Sequence, residues 1–222
     1  MSTFTKLTLG CAILFLAACT SITPMEQQFS GYLDDYSQLT PVETDDGSDA
    51  LRWLSPDLAQ RKFTRLWVKP IEFYPEPTSS EQVSAQRLNE ISRFMTATLR
   101  EELAKDFELT TQPGPETAVL QFALTGVETP TEGLKPRNII PVSLLISGIS
   151  YAAGERDHIV VVYMEGETSD SITGQVLARG VRQAVGGRLK DDEEQLEVEH
   201  LKAYLRDWAL DIAALTRNLK RE

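Results

Sequence analysis

The stretch DHIVVVYMEGETSDSITGQVLARGVRQAV, residues 157–185, decides the fold. Its two halves are rich in the β-branched and aromatic residues that favour strands. Between them, Ser171, Ile172, Thr173 and Gly174 form the predicted turn, in which serine and glycine are the residue types that favour a tight turn. The stretch therefore predicts two long strands that pair with each other through this turn.

A strand and a helix are predicted upstream of this pair. The sequence FTRLWVKPIEFY, residues 63–74, alternates its side chains with the period of a strand, which Pro70 interrupts at one edge. Ser79 and Gln82 then fit a capping box, in which two side chains satisfy free amides at the start of a helix. The helix that follows has one apolar face, formed by Val83, Leu88, Ile91, Met95, Leu99 and Leu103.

Two further strands and a final helix complete the predicted elements. FELTTQ, residues 107–112, and ETAVLQFALTGVET, residues 116–129, meet at PGPE, a combination that cannot continue a strand. We therefore expect them to form a hairpin. The final helix has acidic residues at its start and basic residues at its end, which suits the helix dipole. Its apolar residues are Leu201, Leu205, Trp208, Ile212, Leu215 and Leu219.

The predicted order of elements is strand, helix, four strands and helix. An amphipathic helix needs an apolar surface to cover, and a sheet supplies one. We therefore predict an α/β (α+β) fold, a two-layer sandwich in which a mixed sheet of about five strands has two long helices on one face.

The chain begins with MSTFTKLTLGCAILFLAACTS, residues 1–21, which has the pattern of a secretory signal. Its apolar stretch is shorter than the roughly 20 residues that a spanning helix needs. Leu-Ala-Ala-Cys, ending at Cys19, resembles the bacterial lipobox, in which the cysteine is acylated and becomes the first residue. Thr20 stands where an aspartate typically retains such lipoproteins in the inner membrane, so the resemblance implies an outer-membrane anchor. The alternative is an ordinary signal peptide with an incidental cysteine.

Three parts of the chain are predicted from composition. Residues 1–18 are a lipoprotein signal peptide, residues 19–60 are a lipidated tether and docked arm, and residues 61–222 are a single α/β domain. The second part is polar, acidic and rich in turn residues. The aromatic residues of SGYLDDYSQL, residues 30–39, predict that this stretch is docked, because a free linker has no use for them.

Charge and cysteine content narrow the classes of function. The 222-residue chain has a net charge of −11, which argues against nucleic acid as a ligand. Its two cysteines are Cys11 in the signal and Cys19, so the mature chain keeps no thiol for a disulfide, a nucleophile or a zinc cluster. One group of basic residues could face an anionic surface or form an ordinary solvated edge: Arg52, Arg61, Lys62, Arg65 and Lys69.

The segment NIIPVSLLISGISYAAG, residues 138–154, is apolar on all sides although it connects two predicted strands. It is too short to span a bilayer as a helix. Three interpretations stay open: a buried connector in the core, a surface for self-association or for a partner, and membrane insertion as paired strands of an oligomer. As an interface it would present Ile139, Ile140, Leu144, Leu145, Ile146, Ile149 and Tyr151.

Residues able to carry chemistry are few. The sequence has no phosphate loop, dinucleotide fingerprint, HExxH or GxSxG pattern, and it predicts no cofactor. His158 and His200 are too few for a typical zinc site unless carboxylates complete it, so no metal is predicted. Glu165, Glu167 and Asp170 form a dense carboxylate group that could bind a cation or act as an acid/base pair. The alternative is a solvated strand edge that runs into a turn.

Three stretches resemble one known family. The lipobox with Cys19, SGYLDDYSQL at residues 30–39 and EGETSDSITGQVLA at residues 165–178 resemble the bacterial lipoprotein family known as domain of unknown function 3313. The resemblance implies a lipid-anchored domain that faces the periplasm, and it supplies no catalytic residues.

We therefore predict an outer-membrane lipoprotein that is not an enzyme and acts as a binding or scaffold module of the cell envelope. Its expected partners are the membrane, through the lipid on Cys19, and either another protein or a second copy of the chain. Two alternatives stay open. One is a homo-oligomeric assembly or pore component that uses residues 138–154, and the other is a cation-dependent hydrolase built on the carboxylate group.

Overall fold

The computed structural model describes residues 29–44, 49–76, 85–128, 158–189 and 198–220. Within them the chain forms one mixed sheet and two helices of 19 residues each. The strands are β1 (Thr40–Glu43), β2 (Asp49–Leu54), β3 (Arg65–Val68), β4 (Glu72–Phe73), β5 (Glu108–Leu109), β6 (Thr117–Glu128), β7 (His158–Asp170) and β8 (Val176–Leu189). The helices are α1 (Ala85–Leu103) and α2 (Val198–Thr216), and short 3-10 turns cover Pro56–Gln60 and Arg217–Leu219.

The pair β7 and β8 lies at the centre of the sheet. The strand order is β1-β2-β8-β7-β6-β3-β5, with β4 also paired to β6. Neighbours from β1 to β6 are antiparallel, whereas β3 and β4 run parallel to β6, and β5 runs parallel to β3. The predicted turn between β7 and β8 is confirmed, and its Gly174 has a φ of 70°, which glycine adopts readily.

Both helices pack on each other and on one face of the sheet, which we call the helix face. The strand register directs Leu124 of β6 and Met164 of β7 to this face, where they share the main core with Ile91 and Trp208 of the helices. The buried side of α1 contains apolar residues that the sequence assigned to it, Leu88, Ile91, Met95, Leu99 and Leu103. The helix therefore forms because its apolar stripe has a sheet to cover.

The opposite face of the sheet carries the arm, which we define as residues 29–39. Leu33 of the arm is buried with Leu51 of β2 and Val181 of β8. Four further apolar or aromatic residues of the arm pack around this second, smaller core: Phe29, Tyr32, Tyr36 and Leu39. We call this side of the sheet the arm face.

The prediction of about five strands is wrong, because the described residues alone form a sheet of eight. Strands β1 and β2 lie in the segment 40–54, whose proline, glycine and aspartates hide the strand pattern. Their ladders join Leu51 to Pro41 on one side and to Val181 on the other. Strands β4 and β5 have two residues each, too few to show a period of two.

The predicted hairpin of FELTTQ and ETAVLQFALTGVET is also wrong. Strand β5 pairs with β3 through Leu109 and Leu66, and β6 lies on the other side of β3. Both run parallel to β3, so they do not pair with each other. The PGPE sequence turns the chain beside the start of β3, where the Arg65 amide donates to the Glu116 carbonyl at 3.1 Å. A turn signal marks where the chain changes direction, and the pairing partner is decided by the rest of the sheet.

Candidate functional site

Glu165 of β7 binds the arm to the sheet. It lies on the arm face and is completely buried, at 0% exposure. Its Oε1 accepts a hydrogen bond from the Ser30 amide at 3.0 Å, and its Oε2 accepts one from the Tyr36 hydroxyl at 2.5 Å. A buried carboxylate is costly unless it has such donors, so the docked arm and Glu165 depend on each other.

The hydroxyl of Tyr36 also organises the arm itself. Besides donating to Glu165, it accepts hydrogen bonds from the amides of Gly31 and Leu33, each at 3.0 Å. Its ring stacks on Phe29 with the centroids 4.1 Å apart. One side chain therefore closes the arm on itself and ties it to the sheet.

Both tyrosines that face this region are held in their neutral form. Burial, followed by the hydrogen bond to Glu165, raises the pKa of Tyr36 above its ordinary value. Burial raises the pKa of Tyr32 to about 12, with further contributions from the negative charges of Glu72, Glu167 and Glu165. Tyr36 therefore keeps the proton with which it binds the carboxylate at neutral pH.

Arg179 of β8 makes a second link between the arm and the sheet. Its Nε donates to Glu167 Oε2 at 2.9 Å, and its Nη1 donates to the backbone carbonyl of Asp35 at 3.3 Å. Hydrogen bonds from Ser37 lower the pKa of the Asp35 carboxyl, which lies 3.7 Å from Arg179 Nη1. Glu167 therefore acts on the arm through Arg179.

Asp170 builds the turn between β7 and β8. Its Oδ1 accepts hydrogen bonds from the amides of Ile172 at 2.9 Å and Thr173 at 2.8 Å, and its Oδ2 accepts one from Arg61 at 3.2 Å. Burial alone would raise the pKa of Asp170, but the hydrogen bonds from the turn and the charge of Arg61 hold it below the ordinary value. This is the local side-chain bonding for which aspartate is favoured in turns.

The three predicted carboxylates therefore have separate partners inside the chain. Glu165 and Glu167 share the arm face, as the strand period predicts, and Asp170 lies at the turn. In the parts of the chain that the structure describes, no three His, Cys, Asp or Glu side chains are grouped so as to hold a metal ion.

The basic residues that the sequence groups ahead of the core are spread over different contacts. Arg61 binds the β7–β8 turn, and Arg65 donates to the Pro115 carbonyl at 2.6 Å. The Nζ of Lys69 lies 3.3 Å from the centre of the Trp67 ring. Arg52 is different, because it lines a cavity on the helix face.

This cavity has a volume of about 180 Å³ and lies between α2 and the sheet. Its floor includes Gly166 and Gly180, which are register partners on β7 and β8. Leu54 and Leu215 line it and remain 51% and 41% exposed, so they also form its opening to solvent. Its other apolar side chains include Leu58, Met164, Ile212 and Leu219.

Two arginines stand together on the cavity wall. Arg52 of β2 pairs in register with Gly180, and Arg182 of β8 pairs with Ala50, so the two arginines are diagonal neighbours on the helix face. Arg182 forms an ion pair with Asp211 of α2 at 2.5 Å. Arg52 makes no ion pair with any residue that the structure describes, and burial together with the charge of Arg182 lowers its pKa. The cavity thus combines an apolar lining with a basic wall.

Comparison with known proteins identifies the family. The model of the family described as "Protein of unknown function (DUF3313)" matches residues 28–212, which include the arm, Glu165 and most of the cavity. The chain belongs to the DUF3313 family. Over 219 residues it is 32% identical to the uncharacterized lipoprotein YdcL of Escherichia coli K12, with 99% of each chain covered. The predicted family is confirmed, and this DUF3313 protein matches a lipoprotein from end to end.

Solved structures resemble this DUF3313 protein only weakly. A PelC dodecamer from Paraburkholderia phytofirmans is 14% identical, with 78% of this chain and 98% of that chain covered and a TM-score of 0.35. The rare lipoprotein B from Shewanella oneidensis is 14% identical, with 70% and 90% covered and a TM-score of 0.30. Similarities this weak do not indicate how the chain assembles or what it does.

Several predicted features of the DUF3313 chain lie outside the described residues. They are the lipidation site Cys19, the side chains of His158 and His200, and the candidate interface Ile139, Ile140, Leu144, Leu145, Ile146, Ile149 and Tyr151. Among the helices that are described, none is long and apolar enough to cross a membrane.

The sequence did not predict the cavity of the DUF3313 domain. In the sequence, Arg52 stands out only as one member of a basic group. The available signal was a glycine in the middle of each central strand, Gly166 and Gly180, because glycine inside a strand often marks a bulge or a close approach.

Proposed function

We propose that this DUF3313 protein is anchored to the outer membrane by a lipid on Cys19, faces the periplasm, and acts as a non-enzymatic binding or scaffold module of the cell envelope. The observation that carries the proposal is the role of Glu165. This carboxylate is buried under the arm and is occupied by Ser30 and Tyr36, so it holds the domain near its anchor instead of facing a substrate.

The short stretch of chain between Cys19 and the docked arm limits the distance between the domain and the membrane. Phe29, where the arm begins, lies ten residues after Cys19 in the sequence. An extended chain spans at most about 3.6 Å per residue, so the arm starts within about 36 Å of the lipid. A domain held this close meets components of the membrane and periplasmic proteins beside it.

The contacts of the carboxylate group favour binding over catalysis. General acid/base chemistry requires a side chain within hydrogen-bond reach of the reacting group. Glu165 is engaged by the arm, Glu167 by Arg179, and Asp170 by its own turn. These contacts give all three residues a structural role.

In-cell cross-linking of the lipidated protein, followed by extraction and mass spectrometry, tests this proposal. We expect the protein in the outer-membrane fraction, lipid mass on Cys19, and one reproducible foreign partner that is lost in the mislocalised variant Cys19→Ala. Unchanged signal processing in that variant would contradict the lipid anchor. Self-links alone, converging on residues 138–154, would favour the alternative of a homo-oligomeric assembly.

A further inference from the structure

We propose that the cavity between α2 and the sheet binds an amphiphile that has one alkyl chain and an anionic head group. The alkyl chain lies against the apolar lining, and the head group lies at Arg52 and Arg182. This inference rests on the proposed function and deepens it, because it names the ligand class of the binding module.

The apolar part of the cavity fits a short length of one alkyl chain. Its volume of about 180 Å³ is of the order of cavities of roughly 150 Å³ that hold a benzene molecule. That space admits a few carbon atoms of a single chain and excludes a second chain. The exposed side chains of Leu54 and Leu215 extend the apolar surface to the opening, so a longer chain continues along them.

The two glycines of the floor make this space available. A Cβ at Gly166 would lie 2.2 Å from Phe122 Cδ1, so the ring of Phe122 already covers that position. A Cβ at Gly180 would meet only the Leu51 carbonyl oxygen, at 3.5 Å, and would otherwise project into open space. The space above Gly180 is therefore part of the cavity itself.

The charges on the wall favour an anionic head group. Arg182 is paired with Asp211, whereas Arg52 makes no ion pair with any residue that the structure describes and lies beside Arg182 on the cavity wall. The whole chain has a net charge of −11, so a basic group at a cavity differs from the average charge of this protein. An oxyanion between two guanidinium groups accepts charge-assisted hydrogen bonds and relieves their repulsion.

A carboxylate and a phosphate can both supply this head group. A free fatty acid and an anionic lysophospholipid share the required chemistry, one alkyl chain with one anionic end. They differ in the size of the head group, and both exist at a membrane surface. The experiment therefore uses one probe of each kind.

The test is photo-cross-linking of the mature, lipidated protein in detergent-free membranes, with photoactivatable decanoic acid in one experiment and a photoactivatable lysophosphatidylglycerol in the other. We expect saturable labelling of peptides that contain Leu54 or Leu215 by at least one probe. Unlabelled decanoate should compete with the decanoic acid probe, and decanol, which lacks the charge, should compete at least about tenfold more weakly. Labelling by one probe alone identifies the source of the ligand.

Two variants and two matched controls make the test specific. Gly180→Val fills the cavity and should abolish the saturable label, whereas Ile172→Ser, which alters an apolar side chain 64% exposed outside the cavity, should not. Arg52→Gln should raise the half-saturating concentration of either probe that labels the wild-type protein by about tenfold. The exposed Arg206→Gln makes the same change in net charge outside the cavity and should leave that concentration unchanged.

Unsaturable labelling, labelling spread evenly over the surface, or equal labelling of Gly180→Val and wild type would overturn the inference. These readouts are independent of the anchor. If the protein is found in the outer membrane but shows no saturable label, the proposed ligand is refuted and the proposed anchored module is not. If the protein is labelled at the cavity and carbonate washing then releases it from the membrane, only the proposed lipid anchor is refuted.

Discussion

The hydroxyl of Tyr36 donates a hydrogen bond to Glu165 across 129 residues of sequence, at a donor–acceptor distance of 2.5 Å. This contact joins the arm to the central strand β7. It also explains why a glutamate is tolerated in the middle of a buried strand, because the arm supplies the donors that the carboxylate needs.

Tyr36→Phe should lower the free energy of unfolding by about 1–3 kcal/mol. The substitution removes a donor from the buried Glu165 and the acceptor used by the Gly31 and Leu33 amides, while the ring and its stacking on Phe29 remain. Urea unfolding followed by tryptophan fluorescence measures the change. Tyr204→Phe is the matched control, since Tyr204 is 37% exposed, and equal losses in the two variants would argue against the role of Tyr36.

Stability should fall more steeply above pH 10 in the wild type than in Tyr32→Phe. The pKa of Tyr32 is about 12 in the folded chain and 10.0 in its ordinary state, so the unfolded chain loses this proton first as the pH rises. The stabilisation is therefore complete below pH 10 and is lost between pH 10 and about 12. Unfolding free energies measured across this range test the prediction, and parallel curves for the two proteins would contradict it.

Acid should destabilise the wild type more than Asp170→Asn. The pKa of Asp170 lies below its ordinary value of 3.8 in the folded chain, so its contribution is present above about pH 3.8 and is lost as the pH falls through the folded value. The difference in unfolding free energy between pH 6 and pH 2 should shrink in the variant. Asp34→Asn, at an exposed position of the arm, is the control that should keep the wild-type difference.

The two glycines of the cavity floor should respond differently to alanine. Gly166→Ala should cost about 1–3 kcal/mol of unfolding free energy, because the new Cβ would lie 2.2 Å from the Phe122 ring. Gly180→Ala should change it by less than about 0.5 kcal/mol, since the nearest atom to its Cβ lies at 3.5 Å. Equal costs at the two positions would mean that the floor is packed differently. Urea unfolding of both variants decides this.

The central hairpin could be predicted because its signals are local. Valine-rich strands flank a turn whose Asp170, Thr173 and Gly174 bond to one another within five residues. The amphipathic pattern of α1 is local in the same sense, since its apolar residues recur at helical spacing. Such signals need no knowledge of the rest of the chain.

The missed features all depend on contacts between distant parts of the sequence. Leu51 becomes a strand residue because it pairs with Val181, and Arg52 reaches a cavity because α2 leaves room above Gly180. The sequence alone groups Glu165 with two other carboxylates, because the residues that bind it, Ser30 and Tyr36, lie far away in sequence. In each case the residues that are adjacent in sequence do not indicate the partner.

Hydrogen exchange of the mature, lipidated protein tests the central claim most directly, since the claim is that Glu165 holds the arm on the sheet. The amides of Ser30, Gly31 and Leu33 donate to Glu165 or to the Tyr36 hydroxyl, so the arm should be protected in the wild type. Glu165→Gln should remove this protection and leave that of α1 unchanged, whereas the exposed control Glu101→Gln should leave both intact. Exchange of the wild-type arm at the rate of an unstructured chain would contradict the account.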